Sequence, residues 1–479
     1  FVDDEISYAG QTLFAVAATS HKAARLAVRA AVVEIDEQPA SLDPLKAAER
    51  GDVVRPTHVQ QRGDWQQALS KAEHVLEGAQ FVGGQEHFYL EGQACLVTPS
   101  EDEGVVVYTS NQHPSETQKL VAEVLDVPFH AVTVETRRMG GGFGGKETQA
   151  SPWACIAALI ARRTGRAARL RLPRAEDTRA TGKRHPFYNR YRLGFDNQGV
   201  LAGGEITVIG DCGYSPDLSE AIVDRAMFHA DNAYSLGAAR VTGHRARTHT
   251  ASNTAFRGFG GPQGMMIIEA AMDDIARHLG EDPLSVRKRN FYRAGRDVTH
   301  YGQQVYQYPL LSEIVERLEL SSDYWTRREA IRAHNAASPV VKKGLALTPV
   351  KFGISFTARH LNQAGALLAI DARTMEIKWR VEQKALFMSG AVSTDGGVLF
   401  IGDLDRRFQA LETETGRLLW STRLPAPAHG YPITYTAQGK QYVAIPAGIG
   451  VFRALTAVIF PDIYQPPDGQ GLFVFTLPE

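Results

Sequence analysis

Two glycine-rich segments with a shared core constrain this chain more than any other feature: Arg138-Met-Gly-Gly-Gly-Phe143-Gly144-Gly-Lys146-Glu147 and Asn253-Thr-Ala-Phe256-Arg257-Gly-Phe259-Gly-Gly-Pro262-Gln263. The first follows a strand pattern over 132–135 and runs into a helical pattern over about 147–163. The second opens another helix, with Pro262 suited to its first position and Gly280 to its C-terminal cap. A strand, a glycine loop and a helix N-terminus present backbone N–H groups and the positive end of a dipole, so an anion can bind there. Each loop adds a phenylalanine face. Arg257 adds a forked cation, and Arg225, in Asp224-Arg-Ala-Met-Phe228, is a candidate second one. Two such loops facing one ligand would suit a flat, electron-rich molecule with an anionic group. The plainer alternatives are that the glycines only permit tight turns, that Glu147 is a favourable acid in a first helical turn, and that Arg225 is a surface ion-pair partner.

Other chemistries fit less well. GxxxxGK is present at 140–146, but the hydroxyl residue that should follow and hold magnesium is Glu147, whose carboxylate would repel phosphate. The 15 histidines include no HExxH pair. Asp403-Leu-Asp405 begins like a calcium loop but continues into Arg406-Arg407, as a turn would. No metal-ligating residue is nominated. Cys95, Cys155 and Cys212 are far apart without a CxxC pair, which argues against a disulfide framework, a structural zinc and a cysteine-held iron–sulfur cluster, and for buried thiols in a reducing compartment. Lys and Arg total 52 against 53 Asp and Glu, so no overall field draws the chain to nucleic acid or an acidic membrane surface. No apolar run reaches the roughly 18 residues of a membrane helix. The first residue is Phe1 rather than Met, which reads as a truncation that would also remove any signal peptide.

Along the chain, 12–17 reads as a strand and 19–33 as an Ala-rich helix capped by Thr19 or Ser20. Between about 41 and 64 the sequence turns polar and loses its periodicity, as a linker does. From 80 to about 365, strand runs (105–108, 132–135, 168–172, 191–194) alternate with helical patterns, a mixed α/β body. The texture then changes. Ala369-Ile-Asp-Ala-Arg-Thr374-Met-Glu-Ile-Lys-Trp379 is echoed by Ala410-Leu-Glu-Thr-Glu-Thr415-Gly-Arg-Leu-Leu-Trp420, both the Thr pair and the Trp pair being 41 residues apart. Repeats of about 40 strand-rich residues are the signature of propeller blades, but two copies are too few to close a propeller. The run Gly396-Gly-Val-Leu-Phe-Ile-Gly402 fits a buried blade strand, and 471–479 reads as a last strand.

Gly84-Gln85-Glu-His87-Phe-Tyr-Leu-Glu91, the two glycine segments and Lys351-Phe-Gly-Ile-Ser-Phe356-Thr357 together resemble the molybdenum-binding subunit of xanthine dehydrogenases, in that family's order, from Phe1 to about Leu367. The resemblance implies a molybdopterin oxidoreductase that hydroxylates a purine, xanthine or hypoxanthine, with oxygen from water. It implies that Gln112, in Ser110-Asn-Gln-His-Pro114, hydrogen-bonds an oxygen ligand of molybdenum and that Phe143 and Gly144 belong to the cofactor loop. Glu147 and Arg225 match the pair that orients the purine, and Arg257 a substrate-polarising arginine. Phe259 and Phe356 match rings that sandwich the substrate, and Thr357 a nearby hydroxyl. The implied partners are a chain carrying 2Fe-2S and FAD groups and further copies in a homo-oligomer. The implied location is the cytoplasm.

The departures matter as much. In the family, a segment like 361–367 leads into a second molybdopterin half with a Met-Gly-Gln-Gly loop and a glutamate base, and neither is visible here, so no catalytic base is nominated. Residues from about 365 onward instead resemble the C-terminal blades of quinoprotein dehydrogenases, which use pyrroloquinoline quinone (PQQ) in an eight-bladed propeller and would place the chain in the periplasm. Trp379 and Trp420 match that family's blade-locking tryptophans, but its calcium ligands, catalytic Asp and quinone-stacking Trp lie upstream of this region. The expected organisation is a truncated α/β hammerhead over 1–42, a linker over 43–78, a molybdopterin-binding domain over 79–366 and an all-β partial propeller over 367–479. The leading expectation is a xanthine dehydrogenase-type hydroxylase impaired by the missing base. The alternatives are a non-catalytic chimeric or relic binding protein and a fragment of a quinoprotein alcohol dehydrogenase.

Overall fold

The run Phe187–Phe195 buries Phe187, Asn189, Tyr191, Leu193 and Phe195 at a spacing of two, so one face of this strand must be covered. The cover is a helix, Gly261–Leu279, whose residues Ile267, Ile268, Ala271, Met272, Ile275 and Ala276 form a buried stripe at helical spacing. This packing is the main core of the computed structural model, which describes every residue except 3, 354–356, 358–365, 371–375, 384, 449–462, 465, 467 and 477–479. The chain divides into two units, Phe1–Thr357 and Ala358–Glu479.

The first unit runs α1 His21–Ala30, α2 Pro44–Glu49, β1 Val53–Arg62, α3 Trp65–Lys71, β2 His74–Val82, β3 Ala94–Pro99, β4 Val105–Thr109, α4 Pro114–Leu125, β5 Val132–Glu135, α5 Ser151–Thr164, β6 Ala168–Arg171, α6 Arg174–Ala180, β7 Phe187–Phe195, β8 Leu201–Asp211, α7 Ser219–Phe228, β9 Ala238–Ala246, α8 Gly261–Leu279, α9 Pro283–Asn290, α10 Tyr308–Ser321 and α11 Tyr324–Ala337. Two mixed sheets carry it, one in the order β1-β9-β8-β7-β2 with β8 and β9 parallel, the other in the order β5-β4-β3-β6 with β4 and β5 parallel. On the smaller sheet, Ala154, Ala157, Ala158 and Ala161 let α5 approach closely over Cys95, Val97, Val105 and Val107. Sheet β5-β4-β3-β6 delivers the first glycine segment after β5, and the larger sheet delivers the second after β9.

Two expectations need correction. Residues 12–17 form no strand, although Val2 N–H donates to Thr12 O at 3.2 Å. The polar stretch over 43–78 is no linker: it holds α2, β1, α3 and the start of β2, and β1 pairs antiparallel with β9. Its strand lacks a clean alternation because β1 lies at a sheet edge and keeps most of its side chains at least partly in solvent. Ser20 does cap α1, its Oγ accepting from Ala23 N–H at 3.2 Å.

The described strands of the second unit pair antiparallel: a hairpin β10 Ala366–Ile370 and β11 Ile377–Glu382, a four-stranded sheet β12 Val392–Ser393, β13 Val398–Gly402, β14 Arg407–Glu412 and β15 Leu418–Arg423, and a three-stranded sheet β16 Ile433–Ala437, β17 Lys440–Ala447 and β18 Gly471–Thr476. The two echoed tryptophans occupy the same place, the third residue, in equivalent strands β11 and β15. Trp379 is buried and donates from Nε1 to Thr413 O at 2.8 Å, tying the hairpin to the β14–β15 turn, whereas Trp420 packs edge-on to Phe475 at 5.4 Å. Open sheets of this kind form a partial propeller. Truncating the fully buried ring of Phe187 to Ala should cost about 3–5 kcal/mol in urea unfolding of the first unit. A loss below about 1 kcal/mol would place the core elsewhere.

Candidate cofactor and substrate site

The two glycine segments touch through their backbones. Arg257 N–H donates to Phe143 O at 2.9 Å, and Gly144, at φ +100°, admits the Ala255–Phe256 peptide so closely that a Cβ would lie 2.4 Å from Ala255 O. The juxtaposition needed for both loops to face one ligand is therefore present.

The first loop differs from the expected helix start. Helix α5 begins at Ser151, so Glu147 stands in a turn before it, outside the first helical turn. The residues over 144–151 instead close tight turns, Glu147 N–H onto Gly144 O at 3.4 Å and Ser151 N–H onto Thr148 O at 3.2 Å, while Gln112 Oε1 accepts from Gly144 N–H at 2.9 Å and Lys146 N–H at 3.1 Å and Gly145 N–H bonds Gly142 O at 2.8 Å. Amides expected to cradle an anion are thus occupied internally. Because backbone N–H groups only donate, the carboxamide oxygen must face the loop, and the Nε2 donor is the end left on the exposed side of Gln112. Phe143, at φ +54°, keeps about half of its surface exposed beside it.

Lys146 settles the nucleotide alternative. Its side chain turns inward and is fully buried, with Nζ donating to Glu91 O at 2.7 Å, Ser110 Oγ at 2.6 Å and Met139 O at 2.5 Å, above the Tyr89 ring at 4.6 Å. Burial pushes its pKa down to about 8. An inward lysine bound to carbonyls staples the loop and offers nothing to a phosphate.

The second loop leads into α8, whose cap residue Gly260 has no side chain to bind the first amides. Arg257 extends an exposed side chain, yet its backbone is bound at both ends, since Arg184 Nη2 donates to Arg257 O at 2.9 Å. Arg225 is buried on α7, with Nη1 donating to Gly353 O at 2.6 Å and its guanidinium carbon 5.2 Å from the Phe352 ring centre and 5.9 Å from that of Phe259. Burial lowers the pKa of Arg225. The Thr357 hydroxyl donates to Ala221 O at 2.7 Å and so sits on the same helix. Phe356 lies outside the described residues. Phe352, which sequence reasoning passed over inside a motif it quoted, stands beside Arg225, and its ring lies tilted against His229 at 4.8 Å. The segment carrying it is held by Lys351 Nζ on the buried Asp231 at 2.6 Å.

Glu147 and Arg225 have different neighbours. Glu147 is half-buried, and burial raises its pKa, with His113 opposing the shift and Asp217 and Glu116 adding to it. Among the described residues, no group of three or more His, Cys, Asp or Glu side chains converges as a metal site requires. No described helix is long and apolar enough to cross a membrane.

An α/β body whose facing loops offer an outward amide donor, a phenyl face and a guanidinium defines a site for a flat, oxygen-rich heterocyclic group. Residues 48–291 match the molybdopterin cofactor-binding domain, and the chain belongs to that family. Residues 362–443 match the beta-propeller domain of glucose/ethanol/alcohol dehydrogenases. Similar curated proteins include xanthine dehydrogenase of Calliphora vicina, 41% identical over 377 residues (78% of this chain and 28% of the relative), and xanthine dehydrogenase/oxidase of Gallus gallus, 39% identical over 77% of this chain and 27% of the relative. The chain therefore spans little more than a quarter of these relatives. The fold is shared with the aldehyde oxidoreductase of Desulfovibrio gigas, at a TM-score of 0.60 and 24% identity over 67% of this chain and 36% of that one. It is also shared with quinoline 2-oxidoreductase of Pseudomonas putida 86, at a TM-score of 0.58 and 23% identity over 66% and 42%. The residues present fit the implied cofactor: Gln112, exposed, turns a donor outward, and Phe143 supplies a half-exposed ring face.

Lys146→Met should destabilise the first unit by about 1–3 kcal/mol in urea unfolding, because it leaves buried carbonyls without donors. The pKa of Glu147 is raised in the folded state, so between the ordinary carboxylate value and the raised one the folded chain binds more protons and stability falls as pH rises. Glu147→Gln should remove that fall: relative to the parent, the variant gains stability between about pH 4.5 and neutrality. Parallel unfolding curves for the two across this range would show that Glu147 is solvated.

Proposed function

We propose that the first unit binds molybdopterin and a xanthine-type purine, as part of the site of a hydroxylase that takes its oxygen from water. The observation that carries this reading is the buried Arg225 guanidinium beside the Phe259 and Phe352 rings, with the Thr357 hydroxyl bound to the same helix. A planar ring stacks on phenyl faces, and its carbonyl edge accepts from a guanidinium fork. Glu147, shifted toward its neutral form, meets the N–H edge of the ring, and Arg257 polarises a carbonyl at the other end. Gln112 donates through Nε2 to an oxygen of the cofactor, whose loop Phe143 and Gly144 shape.

When bound, the cofactor supplies the two-electron redox centre for oxidising a ring C–H. Electrons leave through iron–sulfur and flavin groups held outside these 479 residues, because their three scattered cysteines cannot hold a cluster. The assembly works as a homo-oligomer in the cytoplasm. No residue of this chain is proposed as general base, and lacking one slows proton abstraction by about 10²- to 10⁴-fold.

Molybdenum and pterin content, xanthine binding and urate formation with an artificial electron acceptor test the reading. The expected result is co-purified pterin, slow urate formation, and a loss of about ten-fold or more in xanthine affinity on Arg225→Met. Protein from molybdenum-replete cells that carries no pterin, or an Arg225→Met variant that binds xanthine like the parent, would overturn it.

A further inference from the structure

Phe256, the ring just before Arg257, is held on both faces. The His87 imidazole stacks on it at 4.6 Å and 28°, and the Arg184 guanidinium carbon lies 3.8 Å from the ring centre. The same two side chains bind the carbonyls on either side of that residue. His87 Nε2–H donates to Ala255 O at 2.7 Å, and Arg184 Nη2 donates to Arg257 O at 2.9 Å. Both are anchored from elsewhere in the fold. His87 fills the space opposite Gly145 of the first loop, where a Cβ would come within 2.6 Å of its Cγ. Arg184 donates from Nε to Gln85 Oε1 at 2.5 Å and from its backbone N–H to Gln85 O at 3.0 Å.

Arg184 is nine-tenths buried, and its Nη1 has no hydrogen-bond partner among the described residues. Burying a cation this way is costly unless its position is needed. His87 is buried too, which keeps the imidazole in its neutral form. The Arg257 side chain, by contrast, reaches into solvent, so its aim is set by the backbone that carries it.

We propose that Arg184 and His87 are positioning residues: a clamp on Phe256 that fixes the Ala255–Arg257 backbone, holds Arg257 N–H on Phe143 O and so aims the Arg257 side chain. The functional meaning of that aim rests on the reading that Arg257 meets the substrate; the clamp itself does not. Lysine cannot replace Arg184, because an ammonium cannot lie flat on a ring while donating sideways to two oxygens.

Hydrogen exchange followed by mass spectrometry on the full chain tests the clamp without cofactor or turnover. In Arg184→Lys and in Phe256→Leu, peptides covering 253–260 should exchange about ten-fold faster, from loss of one hydrogen bond and one cation–ring contact, with β7, β8 and α8 unchanged. Phe256→Tyr, which keeps the ring, should restore parental protection, a rescue that a mere change in global stability would not produce. Parental exchange of 253–260 in Arg184→Lys, or in Phe256→Leu if the first variant does not fold, would overturn the proposal. Pterin content of the parent chain is measured separately: its absence would remove the proposed function and leave the exchange result to decide the clamp.

Discussion

The contact on which the first unit depends is between backbones: Phe143 O with Arg257 N–H, and Gly144 against the Ala255–Phe256 peptide. It joins a loop that follows β5 of the smaller sheet to one that follows β9 of the larger, so it fixes how the two layers meet. Buried backbone groups must find partners. Here each loop supplies the other's, and Gln112 Oε1 takes two amides that would otherwise need water. Much of the backbone between the loops is thereby paired, and the side chains left for a ligand are Gln112 Nε2, the Phe143 ring and the Arg257 fork.

Around this frame the fold buries three cations held in large part by carbonyls. Lys146 is bound by two carbonyls and a hydroxyl, Arg184 by a carbonyl and a side-chain amide, and Arg225 by the Gly353 carbonyl. Carbonyl dipoles stabilise these charges, and Glu91 and Asp177 act on Lys146 as well. Lys351 is the contrast. Burial alone would raise the pKa of Asp231, but Lys351 and His300 bring it down to about 2, and this neutralised pair pins the segment that carries Phe352.

The strands over 105–108 and 132–135 and the helix ended by Gly280 were readable because local pattern and burial agree: Val105 and Val107 point into one core, and Gly280 takes the left-handed cap that only glycine adopts freely. The echoed Trp379 and Trp420 likewise fall at the same position, the third residue, of corresponding strands. Strand β1 was not readable, since an edge strand paired on one side carries no obligatory alternation and its partner β9 lies almost two hundred residues away. The start of α5 was missed for a different reason. Residues after Gly145 favour helix, but over 144–151 the backbone closes i→i−3 turns, Glu147 N–H on Gly144 O and Ser151 N–H on Thr148 O, before the helix begins. Local turn geometry overruled propensity there.

The site shows the same division in sharper form. Gln112, Phe143 and Arg257 are identified by the strings in which they stand, whereas what Lys146 does depends on direction, which no string encodes. GxxxxGK holds a phosphate only if the lysine leaves the loop on the ligand side; here Tyr89, Glu91, Ser110 and Met139 draw it to the other side, and all but Met139 lie more than thirty residues from it in sequence. Arg184 is the converse case. It sits in the basic run Lys183-Arg184-His185, which looks like a solvated patch, yet Arg184 and His185 are buried, and one of them grips the ring that precedes Arg257. Residue types at a site can be read from local sequence when backbone conformation dictates them, as at Gly144. They escape it when their role is to satisfy groups delivered by distant elements, and the side chains that position this site are of that second kind.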